Sequence, residues 1–108
     1  MTDLSIVIPA FNEERRIRTT LERIIAECAK RSESCEVIVV DDGSADRTAA
    51  IVEEVVARCN SVRLLRHDVN RGKGAAVRTG VLDASGRLIL FTDADLSTPL
   101  TELDKLLT

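Results

Sequence analysis

Apolar residues in this chain fall into short unbroken runs that alternate with stretches of helical spacing. Leu4 to Ile8 is a β-branched run closed by Pro9, which predicts a strand buried on both faces. Ile17, Leu21, Ile24, Ile25 and Cys28 then recur at helical spacing, predicting a helix to about Lys30. Asn12 is its expected cap, with Glu13 and Glu14 favourably placed near the positive end of its dipole. Val37 to Val40 predicts a second strand that stops at Asp41-Asp42-Gly43-Ser44, a cluster of turn formers. Ser44 or Asp46 can cap a second helix whose Ile51, Val52, Val55 and Val56 face inward while Glu53, Glu54 and Arg58 face water. A third strand is expected over Val62 to Leu65, a polar loop over Asp68 to Gly74, and a helix over Ala75 to Leu82 that Gly86 ends. Leu88 to Thr92 predicts a fourth strand running into Asp93-Ala94-Asp95, and Pro99 suits the first turn of a last helix, Leu100 to Leu107.

Strands alternating with helices imply right-handed crossovers, hence an α/β fold: a Rossmann-like parallel sheet with helices on both faces. Ligands of such sheets bind outside the carboxyl ends of the strands. Here those ends carry Asn12 and Glu13, Asp41 and Asp42, the loop around Lys73, and Asp93 with Asp95, so the polar chemistry collects on one edge. With 108 residues the chain has room for one domain, 1–108, and not two. Aromatic content of 2% and a net charge of −3 remove the stacking platforms and the basic excess that nucleic-acid binding needs. Cys28, Cys35 and Cys59 form no CxxC pair and read as buried thiols of a cytoplasmic protein. Leu4 to Ile8 is too short for a signal sequence or a membrane span.

Asp93 and Asp95, two apart on an extended segment, point the same way and can share one hard cation that bridges a diphosphate. Mg2+ and Mn2+ both suit such oxygen sites; the competing reading is a solvated Asp-x-Asp turn. Of Asp41 and Asp42, one is expected to accept hydrogen bonds from a base or ribose and the other to cap the turn, with Gly43 letting the backbone approach the ligand. Arg71, Gly72, Lys73 and Gly74 form a small basic loop before a helix N-terminus, a place suited to phosphate. It is not a P-loop, because position 67 is His and position 74 is Gly. The lone His67 reads as a surface residue.

Four blocks in order resemble the inverting nucleotide-sugar glycosyltransferases of family two, which have the GT-A fold. They are Ser5-Ile6-Val7-Ile8-Pro9-Ala10-Phe11-Asn12-Glu13-Glu14, Val37-Ile38-Val39-Val40-Asp41-Asp42-Gly43-Ser44, Asn70-Arg71-Gly72-Lys73-Gly74-Ala75-Ala76 and Phe91-Thr92-Asp93-Ala94-Asp95. Within the family, the third and fourth blocks together with Val77, Arg78 and Gly80 look most like polyprenyl-phosphate and dolichyl-phosphate glucosyl- and mannosyltransferases. The resemblance implies the nucleotide-binding half of the fold and a nucleotide diphosphate sugar donor of the UDP-glucose or GDP-mannose type. Pro9, Ala10 and Glu13 would line the nucleoside pocket, Asp42 would lie near the base, and Asp93 and Asp95 would belong to the metal motif. Some relatives place a Gln where this chain has Ser97.

The mechanism implied is attack by the acceptor on the anomeric carbon with inversion, while the metal and Lys73 or Arg71 stabilise the departing diphosphate. The acceptor site and any catalytic base are expected beyond residue 108, so the chain alone should bind donor and metal without appreciable turnover, and its uncovered edge invites self-association. The whole protein is expected to meet polyprenyl phosphate at the cytoplasmic face of a membrane. Two other classes stand beside this one: a non-catalytic nucleotide-binding module, and a phosphatase with an aspartate nucleophile. The latter needs a downstream lysine and usually carries its Asp-x-Asp near its start, whereas here three other strands precede the motif and Lys105 is the only lysine beyond Asp95.

Overall fold

A computed structural model describes residues 2–94. Strands β1 (Leu4–Ala10), β2 (Cys35–Asp42), β3 (Val62–His67) and β4 (Leu88–Phe91) alternate with helices α1 (Ile17–Ala29), α2 (Thr48–Arg58) and α3 (Lys73–Asp83). The strands form one sheet in the order β3-β2-β1-β4, every pairing parallel. The expected α/β architecture is therefore observed.

Side chains alternate across a strand, and both sets are apolar. Ile6, Ile8, Val37 and Val39 face α1 and α2, where they pack with Ile17, Leu21, Ile24, Val52 and Val55. Val7, Ile38 and Val40 face α3 and pack on Ala76. Helix α3 lies close because Gly80 has no side chain: a Cβ there would come within 2.3 Å of Val7 Cγ1 and 3.2 Å of Val40 Cγ2. On the outer strand β4, Leu88 and Phe91 remain exposed.

The amino ends of the strands are tied by a buried polar cluster. Glu36 accepts hydrogen bonds from the Ser5 hydroxyl and from the Ser85 N–H (2.7 Å) and hydroxyl (2.9 Å), and Arg63 lies 3.2 Å away. The Ser5 oxygen in turn accepts the Gly86 N–H at 2.8 Å. Gly86 thus anchors the approach to β4, whereas α3 has already stopped at Asp83. Burial opposes the charge on Glu36, but the hydrogen bonds from Ser5 and Ser85 and the Arg63 charge outweigh it and hold the carboxyl below its usual range.

Several boundaries differ from the sequence expectation. Strand β2 runs on through Asp41 and Asp42, and β3 through Arg66 and His67, because these four residues pair in register, Asp41 with Arg66 and Asp42 with His67. Helix α1 begins at Ile17, and Asn12 does not cap it: Asn12 has a left-handed φ of 53° and its side chain accepts the Ala45 N–H instead. At α2 the Asp46 carboxylate accepts the Thr48 N–H at 2.9 Å, and Ser44 is engaged by Asn12. Helix α3 starts two residues early, at Lys73. The cysteines are free and half-buried rather than fully buried, with the Cys28 thiol pushed up to about 12 by burial and by the adjacent Cys35 thiol. Asp95, Ser97, Pro99, Lys105 and the helix expected over Leu100 to Leu107 lie outside the described residues.

Two stability predictions follow from this packing. Gly80→Ala forces α3 off the sheet and should cost about 1–3 kcal/mol, read as a lower denaturant midpoint at unchanged slope. Glu36→Ala should cost about 1–3 kcal/mol at pH 7. Because the folded pKa of Glu36 is depressed, that contribution is present above the unfolded value of about 4.3 and fades as pH falls through the folded one. Urea titrations at pH 7 and at pH 3 should show the penalty shrinking; an equal penalty at both would contradict the assignment.

Candidate functional site

The carboxyl ends of β1, β2 and β4 and the start of α3 surround an open cavity of about 520 Å³. Pro9, Ala10, Phe11 and Glu13 line it from the end of β1, Asp42 from β2, Asn70, Gly72, Lys73 and Ala76 from α3 and the preceding loop, and Asp93 and Ala94 from the segment after β4. Of the residues singled out in the sequence, Pro9, Ala10, Glu13, Asp42, Gly72, Lys73 and Asp93 are thus brought together, while Asn12, Asp41, Gly43 and Arg71 stand outside the lining.

Those four are placed by the local backbone. Residues 12–14 are stitched to 44–48: Asn12 N–H to the Ser44 hydroxyl, Glu13 N–H to the Thr48 hydroxyl, Glu14 N–H to Asp46, and Ala45 N–H to the Asn12 side chain. Gly43, at φ 74°, passes so close to the next loop that a Cβ would sit 2.5 Å from the Asn70 nitrogen. The backbone that approaches Gly43 is therefore the protein's own. Arg71 contributes its N–H to Asp42, at 2.9 Å.

Asp41 and Asp42 face opposite sides of the sheet, and neither caps the 43–46 turn. Asp42 is nearly fully buried and accepts three hydrogen bonds, from His67 Nδ1 (2.8 Å), Arg71 N (2.9 Å) and Gly72 N (2.9 Å). Asn70 Nδ2 closes the same loop on the Asp42 carbonyl at 3.3 Å. Burial disfavours the Asp42 charge, yet the Arg71 N–H, His67 and the Gly72 N–H together keep its carboxyl below the usual range, hence ionised at neutral pH. Asp41 is completely buried on the α1–α2 side; neither of its oxygens is hydrogen-bonded among the described residues, and Arg66 Nε is 3.6 Å away.

His67 is not the surface residue its sequence context suggests. It is 8% exposed, opposite Asp42 in register, with Nδ1 on Asp42 and Nε2 2.8 Å from the Thr79 hydroxyl of α3. Sequence reading assigns it no role, because a polar residue between Arg66 and Asp68 carries no periodic signal; Thr79 is likewise unmarked, and Phe11, Asn70 and Ala76 stand within the resembling blocks without an assigned role.

At the cavity mouth the Lys73 ammonium pairs with the Asp93 carboxylate. The chain after β4 is steadied by the Thr20 hydroxyl of α1, which donates to the Ala94 carbonyl. Gly72, at φ 101°, turns the chain into α3, so the free N–H groups of that helix start at the cavity beside the Lys73 charge. The arrangement offers an anion a cation and a helix N-terminus, and a cation the oxygens of Asp93 and Glu13. Only carboxylates among the lining side chains can ligate a metal strongly, a donor set that suits a hard ion such as Mg2+ or Mn2+ and not a thiophilic one. Among the described residues no three His, Cys, Asp or Glu side chains cluster as a metal site. No described helix is long and apolar enough to cross a membrane.

Comparison with known proteins converges on one family. The chain is 41% identical over 111 residues to the dolichyl-phosphate beta-glucosyltransferase of Drosophila melanogaster, an alignment covering 96% of this chain and 34% of that protein. It is 38% identical over 104 residues to the undecaprenyl-phosphate 4-deoxy-4-formamido-L-arabinose transferase of Proteus mirabilis, covering 95% and 32%. The chain therefore spans about a third of the length of the curated relatives it matches. A mannosyltransferase from Pyrobaculum calidifontis, solved in complex with GDP-Man and Mn2+, superposes with a TM-score of 0.77 at 30% identity, covering 85% of this chain and 27% of that one. Its likeness shows that the parallel sheet and its helices belong to a GT-A fold. The description "Glycosyl transferase family 2" matches residues 5–108, and this chain belongs to that family.

Proposed function

We propose that residues 1–108 form the donor-binding part of a longer glycosyltransferase domain that moves a hexose, with inversion, from a nucleoside diphosphate to a polyprenyl phosphate. The observation that carries this reading is the meeting of the α3 N-terminus, Lys73 and Asp93 at one cavity, at the carboxyl ends of the parallel strands. A diphosphate needs a positive helix end and a cation; a divalent ion on it needs a carboxylate. The names of the relatives support a polyprenyl phosphate acceptor, since both curated proteins act on one. The Pyrobaculum enzyme, with its GDP-Man and Mn2+, supports a nucleotide sugar and a divalent metal.

In this reading Pro9, Ala10 and Phe11 give the nucleoside an apolar wall, Asp42 lies near the base, and Glu13 closes the pocket rim. Asp93, with Asp95, would hold a divalent ion, which would supply positive charge to the diphosphate. Lys73 is released from Asp93 to the diphosphate oxygens and, with the α3 amides, stabilises the charge that grows as the sugar–phosphate bond breaks. A polyprenyl phosphate oxygen is already anionic at pH 7 and attacks without a general base. In this reading the whole protein meets that lipid at the cytoplasmic face of a membrane.

Calorimetric titration of UDP, GDP and UDP-glucose, with and without Mn2+, tests the reading. Metal-dependent binding should appear and its metal-dependent part should vanish in Asp93→Ala. Lys73→Met should weaken UDP by about tenfold while leaving uridine unchanged, the effect of one charge-assisted hydrogen bond to phosphate. No nucleotide bound under any condition would sink the donor site. The 108 residues alone should bind without turnover, checked by radiolabelled transfer to a short polyprenyl phosphate; clear transfer would show that the acceptor machinery lies within this chain.

A further inference from the structure

We infer that His67 is a positioning residue for the nucleotide site: through Asp42 it sets the Arg71–Gly72 turn and, with it, the start of α3. The inference rests on the donor reading above for its functional meaning, and on geometry for the rest.

His67 ends β3 opposite Asp42, and the two side chains meet on the α3 side of the sheet. Asp42 is ionised, so Nδ1 of the ring must carry the proton in that 2.8 Å contact. Nε2, on the far edge of the ring, lies 2.8 Å from the Thr79 hydroxyl, which can donate or accept there. Each ring nitrogen thereby has a partner, and the imidazole joins β3 to β2 on one edge and to the second turn of α3 on the other. A carboxylate torsion is broad when left to itself. Here Oδ1 is fixed by the ring and receives the Arg71 N–H, which leaves Oδ2 turned to the Gly72 N–H.

Gly72 is the residue before Lys73, and both line the cavity. Rotation of the Asp42 carboxylate would release two backbone amides of that turn at once, and the residue they precede carries the cation. The ring also fills a place that no other donor reaches from β3: the neighbouring Arg66 lies on the opposite face, beside Asp41. His67 itself does not line the cavity and touches no ligand position; it acts only through the carboxylate.

His67→Asn keeps an N–H near the Nδ1 position, whereas His67→Phe keeps the ring volume and removes the donor. The measurements are amide exchange at Arg71 and Gly72, UDP affinity in Mn2+, and urea unfolding to show that each variant is folded. In His67→Phe both amides should exchange about tenfold faster and UDP affinity should fall about tenfold, with His67→Asn restoring both to within about threefold of wild type. A merely space-filling histidine would reverse that order, since Phe conserves the volume and Asn does not. Wild-type behaviour of His67→Phe, or equal losses in the two variants, would overturn the inference. Should the Phe variant not fold, Thr79→Val carries the test: loosening the ring's far edge should speed exchange at Arg71 and Gly72, and unchanged exchange would overturn it. A wild-type chain that binds no nucleotide would instead defeat the donor reading, while the exchange pattern would still decide the part played by His67.

Discussion

A parallel sheet covered on both faces has only its strand ends left to meet a ligand, and that constraint organises this molecule. Every side chain of β1 is buried, as are those of β2 from Glu36 onward, so neither strand can present chemistry sideways. The acidic groups that line the cavity stand after the last apolar residue of each strand: Glu13 beyond β1, Asp42 at the tip of β2, Asp93 beyond β4. The loop between β3 and α3 brings in Lys73, and the helix that follows directs its amino end at the same place. Burial of the sheet and convergence of the site are one arrangement, since the crossovers that keep the strands parallel also return each helix start to the same edge.

Most of this was legible in the sequence because burial on both faces writes a strand as an unbroken apolar run. Leu4 to Ile8, Val37 to Val40 and Leu88 onward are such runs, and all are strands. The errors occur where polar residues continue an element. Asp41 and Asp42 look like the opening of a turn, yet they extend β2, because pairing with Arg66 and His67 satisfies their backbone and the 70–72 loop satisfies the Asp42 side chain. Local turn chemistry yields there to long-range pairing. Asn12 shows the reverse: its helix-capping chemistry is real, but the partner it finds is the distant Ala45 amide, which no local rule could name.

The site was readable as a set of residue types and much less as a geometry. Spacing showed that acidic and basic groups would share an edge, and resemblance to a family gave them meaning. Spacing could not distinguish Asp41 from Asp42, identical neighbours that the two-residue period of a strand sends to opposite faces, and resemblance pointed to Asp42 without giving that reason. One meets a loop and a histidine; the other is sealed under α1 and α2. Nor could sequence show that Lys73 and Asp93, twenty residues apart, form an ion pair, so that each charge at the cavity mouth is neutralised by the other.

The polar cluster around Glu36 bears on that choice between the two aspartates. It sits at the amino end of β2, six residues before Asp42, or about 20 Å away along the strand. Shifting β2 by a single residue against its neighbours would exchange the two faces of the strand. Asp41 would then turn toward the loop, Asp42 would be sealed away, and every apolar side chain would change sides with little loss of hydrophobicity, since both faces are apolar. Valines and isoleucines on both faces discriminate poorly between the two alignments. Ser5, Ser85 and Arg63 discriminate well, because only one alignment gives the Glu36 charge its partners. A carboxylate at the opposite end of the strand thus serves as the index mark that decides which aspartate the carboxyl edge of the sheet displays beside α3.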